Sequence, residues 1–460
     1  MSLPPKTLGY WRAELNGGRI SSRELTEQAL DGASGSSEAQ TTFLVVHAAT
    51  ARATANAIDV LRTAKVPLPP LAGIPISIKD LFDEAGQVTR AGSRVLNAAP
   101  PAALDSVVVQ RLRAAGAVII GRTNMTEFAY SGLGLNPHYG TPRNPWDRAT
   151  GRIPGGSSSG AAVSVTDGMA AAAIGTDTGG SVRIPSALCG LTGFKPTARR
   201  VPTGGVLPLS FTLDSIGPLA RSVACCAQLD AVLSANVNAN VNAAVRPACL
   251  VGQSFAVPRT LVFDGIDAAV SRAFDAACCT LSGAGARLVE IDVPEFAELA
   301  HINRLGGFSA AEAWAWHEPL LQSGQAEYDP RVSFRIRRGA TVTAADYLRL
   351  LGERRRWIAG VQQRLLDANC DTLLMPTVPV VAPPIALLKG SDELYGSTNL
   401  LMLRNPALIN FLDGCALSLP CHKAGEAPVG LMLAGLSGHD ERLLCLGAAV
   451  EAALGVARSK

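Results

Sequence analysis

Alternating apolar and polar stretches predict a succession of helices and strands along the N-terminal part of the chain. Leu8 to Leu30 has the spacing of one or two amphipathic helices, with Ser21-Ser22 as a candidate N-cap. The Ala-rich stretch from Gln40 to Leu61 is also predicted to be helical. The apolar, β-branched segment from Leu71 to Ile78 is typical of a buried strand, and it ends at Lys79.

Strands and helices are predicted to alternate further along the chain. Asp105 is expected to cap a helix that runs to Ala115, and Ala117 to Ile120 is then a strand. The remaining predictions are a loop-rich stretch at 202–218, a loop or helix end at 234–243, a strand at 260–263, a helix at 268–281, a strand at 285–291, a helix at 347–368, a strand at 372–376 and a closing strand–turn–strand with a helix at 440–454. This alternation predicts an α/β fold. No linker-like stretch interrupts it, so residues 1–460 are expected to form one domain.

The composition narrows the class of protein. Of 460 residues, 48% are hydrophobic and 17% charged, which excludes intrinsic disorder. A net charge of +3 is too small for a dedicated nucleic-acid surface. No secretory signal is visible, and the most apolar run, 161–176, is too short and too polar to cross a bilayer. We therefore expect a cytoplasmic protein with no nucleic-acid or membrane partner.

The cysteines and histidines give no metal-binding pattern. The ten cysteines contain no Cys-x-x-Cys pair, and the six histidines are scattered singly. Because neither residue type has zinc-ligand spacing, no metal is expected. Most of the cysteines are expected to be small buried side chains in a reducing compartment.

Residues 151–193 differ in composition from the rest of the chain. Ten of these 43 residues are glycine, and only four are charged. Two Gly-rich loops lie here, GGSSSG at 155–160 and GTDTGGS at 175–181. Neither has the lysine of a phosphate-binding loop, and the chain's dinucleotide-like motifs lack the third glycine. We therefore expect neither nucleotide nor other cofactor.

One of these loops also matches a short hydrolase motif. Residues 156–160 fit G-x-S-x-G, which would make Ser158 a candidate nucleophile elbow. Such an elbow should follow a strand, whereas 143–154 is predicted to be a loop. A Ser-His-Asp esterase of the α/β-hydrolase type, with His422 or His439 as the base, stays an alternative with the wrong local context.

Several motifs in one order resemble the amidase signature family. They are LAGIPISIKD at 71–80, GRTNMTEF at 121–128, NPWD at 144–147, GGSSSG at 155–160, GTDTGGSVRIP at 175–185 and GFKPT at 193–197. Ser157 and Ser181 are 24 residues apart, as in the family. The signature core covers about 70–221, and the resemblance continues more weakly to about 455. It implies a single large α/β/α domain around a mixed central β-sheet, and a hydrolase of C–N bonds other than peptide bonds.

The resemblance also implies a Ser-Ser-Lys triad. By position, Ser181 is the nucleophile that forms an acyl-enzyme, Ser157 the bridging serine and Lys79 the base. Burial at the end of an apolar strand should lower the pKa of the lysine, so that it can act as a neutral amine. The expected oxyanion hole consists of the backbone N–H groups of Thr178, Gly179, Gly180 and Ser181.

The substrate is less closely defined. Arg183 is expected to support the loop or to meet a substrate carboxylate, and Tyr130 is a candidate pocket residue. Arg335 matches an arginine in the glutamine site of the A subunit of glutamyl-tRNA amidotransferase. The aspartate of that site has no counterpart, because 401–405 reads Leu-Met-Leu-Arg-Asn and Arg404 would repel an α-ammonium group.

We therefore expect a free-standing bacterial-type amidase that acts on a small-molecule amide, with a homodimer as a candidate assembly. The alternative is a glutaminase-type A subunit of an amidotransferase complex, which would need a partner.

Overall fold

The computed structural model describes residues 2–236, 245–322 and 327–455. The strands in these ranges are β1 (Phe43–Val46), β2 (Pro75–Lys79), β3 (Val118–Thr123), β4 (Ala172–Asp177), β5 (Thr192–Lys195), β6 (Ser215–Ala220), β7 (Ser254–Pro258), β8 (Arg287–Ile291), β9 (Thr372–Pro376), β10 (Cys415–Pro420) and β11 (Gly430–Gly435). The α-helices are α1 (Leu8–Asn16), α2 (Ser22–Ser34), α3 (Ser37–Thr42), α4 (Ala48–Thr63), α5 (Val107–Ala114), α6 (Ser159–Thr166), α7 (Arg183–Cys189), α8 (Val223–Ser234), α9 (Ala268–Gly283), α10 (Glu295–Ile302), α11 (Gly307–Gln322), α12 (Pro330–Arg337), α13 (Ala344–Asp367), α14 (Ile385–Gly390), α15 (Asp392–Phe411) and α16 (Asp440–Leu454). Short 3₁₀ helices lie at Glu127–Ala129 and Arg338–Thr341.

The strands of the described ranges form one mixed sheet. Their order is β1-β3-β2-β4-β6-β5-β10-β11-β9-β7-β8. The neighbours β3, β2 and β4 run parallel, as do β9, β7 and β8. The strands between β4 and β9 pair antiparallel, and β1 pairs antiparallel to β3 at one edge. The predicted α/β fold with a mixed central sheet is confirmed.

Helices cover both faces of this sheet. Successive side chains of a strand point to opposite faces. In β11, Leu431 and Leu433 pack into an apolar cluster with α8 and α16, whereas Met432 and Ala434 pack into a second cluster with α13 and α15. The sheet is therefore the middle of three layers, as expected for an α/β/α architecture.

Most predicted helices form where the pattern placed them. Ser21 caps α2 through a capping box with Glu24, and α16 has the predicted bounds. The helix predicted to begin after Asp105 is instead capped by Ser106, whose side chain accepts a bond from Val109 N. Within the described ranges, no helix is both long and apolar enough to span a membrane.

Several local predictions were wrong. The stretch 40–61 contains β1 between α3 and α4, and the predicted loop at 202–218 includes the start of β6. The segment 260–263 forms a turn after β7 instead of a strand, because Val262 N bonds back to Thr260 O while the Val262 side chain fills the second apolar cluster. α15 had no predicted counterpart. Most of the stretch 234–243 lies outside the described residues.

The two parallel strands β2 and β4 place the candidate site. They are neighbours, with Ile78 opposite Ile174, and every residue in both is buried. Lys79 ends β2 and Asp177 ends β4. Both residues therefore lie at the carboxyl ends of parallel strands, where α/β sheets commonly bind ligands.

Candidate active site

The lysine predicted to act as a base lies in a desolvated position between two hydroxyl groups. Lys79 is fully buried, and its Nζ lies 2.8 Å from Ser157 Oγ and 2.8 Å from Thr176 Oγ1. Burial lowers the pKa of Lys79 to about 7, although the carboxylates of Asp214 and Asp177 oppose this shift. A large share of Lys79 is therefore a neutral amine near pH 7, able to accept a proton from Ser157.

A buried ion pair fixes the chain just after this lysine. Asp80 Oδ1 accepts a bond from Arg122 Nε at 2.8 Å, and Oδ2 accepts one from Gly92 N at 3.1 Å. Arg122 Nη1 donates to Phe82 O at 2.7 Å. Because these bonds enclose two charges with no solvent exposure, they hold the end of β2 in one position.

The first Gly-rich loop presents Ser157 to the lysine. The Gly156–Ser157 peptide bond is cis. Ser157 O accepts a bond from Thr126 N at 3.1 Å, and Gly156 N donates to Gly132 O at 2.8 Å. A Cβ at position 156 would lie 2.5 Å from Gly134 N, so only glycine fits this close approach.

Ser158 does not have the context of a nucleophile elbow. It is fully buried, its Oγ donates to Thr176 O at 3.4 Å, and no strand of the described ranges leads into it. His422 Nδ1 accepts a bond from Val429 N at 3.3 Å, while His439 stands at the N-cap position of α16. In the described part of the chain, neither histidine is a hydrogen-bond partner of Ser158 Oγ.

The second Gly-rich loop is held by the carboxylate that precedes it. Asp177 Oδ1 accepts a bond from Gly180 N at 2.8 Å, and Oδ2 accepts one from Val182 N at 3.1 Å. This corrects the predicted oxyanion hole, because the Gly180 amide is already bonded to Asp177. Over the described residues, the amides of Thr178, Gly179 and Ser181 have no such partner.

Arg183 serves this same carboxylate. It is fully buried, and its Nε and Nη2 donate to Asp177 at 3.0 and 2.9 Å, while Nη2 also donates to Asn410 Oδ1 at 2.6 Å. Burial alone would raise the pKa of Asp177, but the Arg183 guanidinium holds that pKa well below its usual range. This geometry favours support of the loop over contact with a substrate carboxylate.

Two further groups near the lysine were not found from the sequence. Thr176 lies inside a recognised motif, but its role depends on the pairing of β2 with β4. Asp214 Oδ1 accepts a bond from Thr178 Oγ1 at 2.5 Å, across the end of the β4–β6 ladder. Burial raises the pKa of Asp214 to about 6. The sequence signal that could have identified Asp214 is an acidic residue directly before a strand.

The structure brings Arg335 and Tyr130 together. Arg335 lies in α12, and its Nη1 donates to the carbonyl of Tyr130 at 2.6 Å. Its guanidinium also lies 5.1 Å from the centre of the Tyr395 ring. Burial raises the pKa of the half-buried Tyr130, so its phenol stays neutral. The chain continues from Tyr130 to Gly132, whose carbonyl supports the Ser157 loop.

One face of α15 packs against the nucleophile loop and against the segment at Ser131 and Gly132. Residues at i, i+4, i+7 and i+11 share a helix face, and here they are Asn399, Leu403, Pro406 and Asn410. A Cβ built on Gly179 would lie 3.5 Å from Leu403 Cδ2. Asn410 Nδ2 donates to Asp177 Oδ1 at 2.9 Å. The helix thus contributes apolar contacts from Leu403 and Pro406 and polar contacts from Asn410 to the nucleophile loop and the Asp177 that holds it.

Arg404 does not have the role predicted for it. Its Nη2 donates to Val262 O at 2.8 Å and its Nη1 to Asp264 O at 2.5 Å. The adjacent Leu403, not Arg404, faces the nucleophile loop. The expected repulsion of an α-ammonium group by Arg404 is therefore wrong, because its guanidinium is bonded elsewhere.

Comparisons with known proteins agree along most of the chain. A family model described as Amidase matches residues 24–444. The 2-amino-5-chloromuconic acid deaminase of Comamonas testosteroni is 38% identical over 410 residues, 88% of this chain and 87% of that protein. The A subunit of glutamyl-tRNA(Gln) amidotransferase from Synechococcus sp. (strain CC9605) is 33% identical over 469 residues, 95% and 94% of the two chains. A crystal structure of an amidase has a TM-score of 0.86 at 31% identity, covering 97% and 99%.

Fold and comparisons together define an amide hydrolase, an enzyme that cleaves C–N bonds other than peptide bonds. The chain belongs to the amidase family. The resemblance inferred from the sequence motifs is thereby confirmed, as is the predicted class of reaction.

Proposed function

We propose that the chain hydrolyses a small carboxylic amide through a Ser-Ser-Lys triad and an acyl-enzyme. Ser181 is the nucleophile, Ser157 relays the proton and Lys79 is the base. One observation carries this proposal: the fully buried Lys79 Nζ lies 2.8 Å from Ser157 Oγ, in a site that lowers its pKa to about 7. A serine hydroxyl needs such a base before it can attack an amide.

In the proposed acylation step, Ser181 Oγ forms a bond to the amide carbon and its proton passes through Ser157 to neutral Lys79. The carbonyl oxygen becomes an oxyanion. Collapse of this intermediate breaks the C–N bond, and the proton returns from Lys79 through Ser157 to the leaving nitrogen. Ammonia or an amine departs. Water then attacks the ester by the same proton path and releases the acid.

The proposed oxyanion hole consists of the amides of Thr178, Gly179 and Ser181. Its support is that these N–H groups have no protein partner in the described ranges, while Asp177 holds the adjacent Gly180 amide. Preorganised donors of this kind lower the barrier, and losing one typically costs about 2.7–4 kcal/mol.

Arg335 is the proposed contact for a substrate carboxylate, with Tyr130 beside it. The support is its bond to the segment that also carries Gly132, next to the Ser157 loop. The name of the deaminase relative refers to an acid. In a panel of small amides, Arg335→Gln should raise KM for carboxylate-bearing substrates and leave neutral amides within about twofold. An equal effect on both groups would contradict this assignment.

A second candidate is an amidotransferase A subunit, favoured by the likeness to the Synechococcus protein. Against it, apolar Leu403 faces the Gly179 segment, where an ammonium group would need a polar partner. The purified chain alone should hydrolyse members of the small-amide panel. Turnover of glutamine only, and only after a partner protein is added, would favour the second candidate.

The chain is also proposed to be one cytoplasmic domain. Its ten cysteines are free thiols, as in reducing compartments, and one sheet contains the strands of all described ranges. Light scattering of the purified chain would test for the homodimer, the candidate assembly.

The nucleophile is tested by covalent labelling. A fluorophosphonate should modify Ser181 and stop turnover, and Ser181→Ala should lose both labelling and activity while keeping the wild-type Tm. Ser158→Ala is the matched control, and in this variant the probe should still label Ser181. The assay should tolerate excess EDTA, because the proposed chemistry has its own base and oxyanion donors. Labelling at Ser158 instead of Ser181 would contradict the proposal.

A further inference from the structure

Two carboxylates hold the nucleophile loop, one at each end. Asp177 binds the amides of Gly180 and Val182 after the turn. At the other end, Thr178 Oγ1 donates to Asp214 Oδ1 at 2.5 Å. The unpartnered amides of the proposed oxyanion hole lie between these two anchors.

Asp214 reaches Thr178 because of strand register. β4 and β6 pair antiparallel, and their last pair joins Asp177 to Ser215. The next position along each chain is therefore Thr178 on one and Asp214 on the other. The side-chain bond between Thr178 and Asp214 therefore joins the two chains one position beyond their last backbone pair. This bond restrains the direction of the first amides in the loop.

Asp214 is itself held in place. Its Oδ2 accepts bonds from Leu209 N at 3.0 Å and Ser210 N at 3.1 Å. Glu312 of α11 holds the same segment from outside, accepting Ser210 Oγ at 2.5 Å and Thr212 Oγ1 at 2.5 Å. The carboxylate of Asp214 is thus held by a segment that is itself bonded to α11 through Glu312.

We propose that Asp214 is a positioning residue for amide hydrolysis, orienting the oxyanion amides through Thr178 and acting by its charge on Lys79. The inference rests on the proposed function. Lys79 Nζ bonds to Thr176 and Asp214 bonds to Thr178, two residues further along the chain, and residues two apart at a strand end point to the same face. Asp214 also binds two backbone amides, and the charge of Glu312 acts on it. The charges that act on Lys79 are those of Asp214 and Asp177, the latter paired with Arg183.

The first test removes the hydroxyl at 178 without removing any charge. Thr178→Val should lower kcat roughly 10-fold or more with KM within about twofold, because the oxyanion amides act on the transition state. Thr178→Ser should restore most of this loss. Thr89→Val is the matched control, since it also deletes a hydroxyl donated to a carboxylate, Asp83 Oδ1 at 2.7 Å, but lies outside both the loop and the 209–214 segment that holds Asp214.

The second test removes the charge. Asp214→Asn eliminates a negative group that stabilises the Lys79 ammonium, so the ascending limb of kcat/KM should move to lower pH by roughly half a unit or more. Thr178→Val removes a bond that lowers the pKa of Asp214, so it should move the limb in the same direction but by less. A merely structural role for Asp214 would lower Tm without moving the limb.

The outcomes separate this inference from the proposed function. If wild-type Ser181 reacts with the fluorophosphonate but Thr178→Val and Thr89→Val have equal kcat, or Asp214→Asn keeps the wild-type limb, the positioning role of Asp214 is overturned while the triad stands. If Ser181 does not react, the proposed function itself fails.

Discussion

Two buried lysines in this chain differ in what surrounds their amines. Burial lowers the pKa of Lys195 to about 8 and that of Lys79 to about 7. Lys195 Nζ donates to two carbonyls, Pro196 O and Gly414 O, each at 2.7 Å, so it can only be a donor there. Lys79 lies between hydroxyls, which can donate as well as accept. Of these two lysines, Lys79 is therefore the one placed to take a proton.

The pH dependence of the reaction should report this difference. Because Lys79 must be neutral to act, kcat/KM should rise with pH through about 7, the pKa of the folded enzyme. Lys79→Ala should remove most activity, and Lys79→Arg should not restore it, because guanidinium stays protonated at usable pH. Initial rates on one small amide, measured from roughly 1.5 pH units below that pKa to roughly 1.5 units above it, would define this rise of kcat/KM.

Lys195→Arg serves as the control for a buried lysine outside the site, and it should lower Tm without moving the limb. If Lys79 only supplied positive charge near the oxyanion, Lys79→Arg would be active with a wild-type profile. That result would remove the base from the mechanism.

At the scale of elements, the sequence is most informative where function depends on neighbours along the chain. Lys79, Ser157 and Ser181 lie in compact motifs, and each is identified as a candidate from the sequence alone. Asp214 and Leu403 are not, because their roles depend on which strand pairs with β4 and which face of α15 meets the loop. Those contacts join distant parts of the chain.

The same limit explains errors in local structure. An apolar run indicates burial but not its cause. The segment 260–263 is apolar because Val262 fills a cluster between sheet and helices, so a turn there has the pattern of a strand. Arg404 similarly lies one residue from a side chain that faces the site, and helix phase alone decides which of the two does so.

The fit between α15 and the nucleophile loop can be tested at one glycine. Gly180 has φ +125°, and a Cβ there would lie 2.6 Å from Pro406 Cβ and 2.8 Å from Ile184 Cδ1. Gly180→Ala should displace the loop and lower kcat by roughly 100-fold, the order of losing an oxyanion donor. Steady-state kinetics and Tm should be measured together.

The matched control is Gly425→Ala. Gly425 also has positive φ, +85°, but nothing lies within 4 Å of its added Cβ. Gly425→Ala should lower the free energy of unfolding by about 1 kcal/mol, because a residue with a Cβ is strained at positive φ, and it should leave kcat unchanged. Comparable kcat in the two variants would mean that contact with α15 does not set the loop.

At the scale of the whole molecule, one buried carboxyl links three elements. Glu451 of α16 is 7% exposed, and its Oε1 accepts bonds from Val223 N of α8 at 2.9 Å and Thr192 Oγ1 of β5 at 3.4 Å. These elements form one side of the larger apolar cluster. Burial raises the pKa of Glu451 to about 7.

This shift gives the stability of the fold a definite pH dependence. Below about pH 4.5, Glu451 is protonated in both states, and its ionisation has no effect on unfolding. Between about 4.5 and 7 the unfolded chain releases the proton while the folded chain keeps it, so the free energy of unfolding falls as pH rises. Above about 7 both states are ionised and the loss is constant, at most about 3 kcal/mol.

Glu451→Gln should remove this component, because the amide stays neutral while its oxygen can still accept from Val223 N. The difference in free energy of unfolding between variant and wild type should therefore rise from pH 5 to 7 and then level off. Urea titrations at pH 5, 6, 7 and 8 would measure it; other buried carboxyls, such as Asp230, cancel in the difference. Glu441→Gln on the same helix, where the side chain is 71% exposed, should give a flat difference. If the Glu451→Gln difference were equally flat, the carboxyl would not be protonated in the folded protein at neutral pH, and its bonds to α8 and β5 would have to be strong enough to offset the cost of burying its charge.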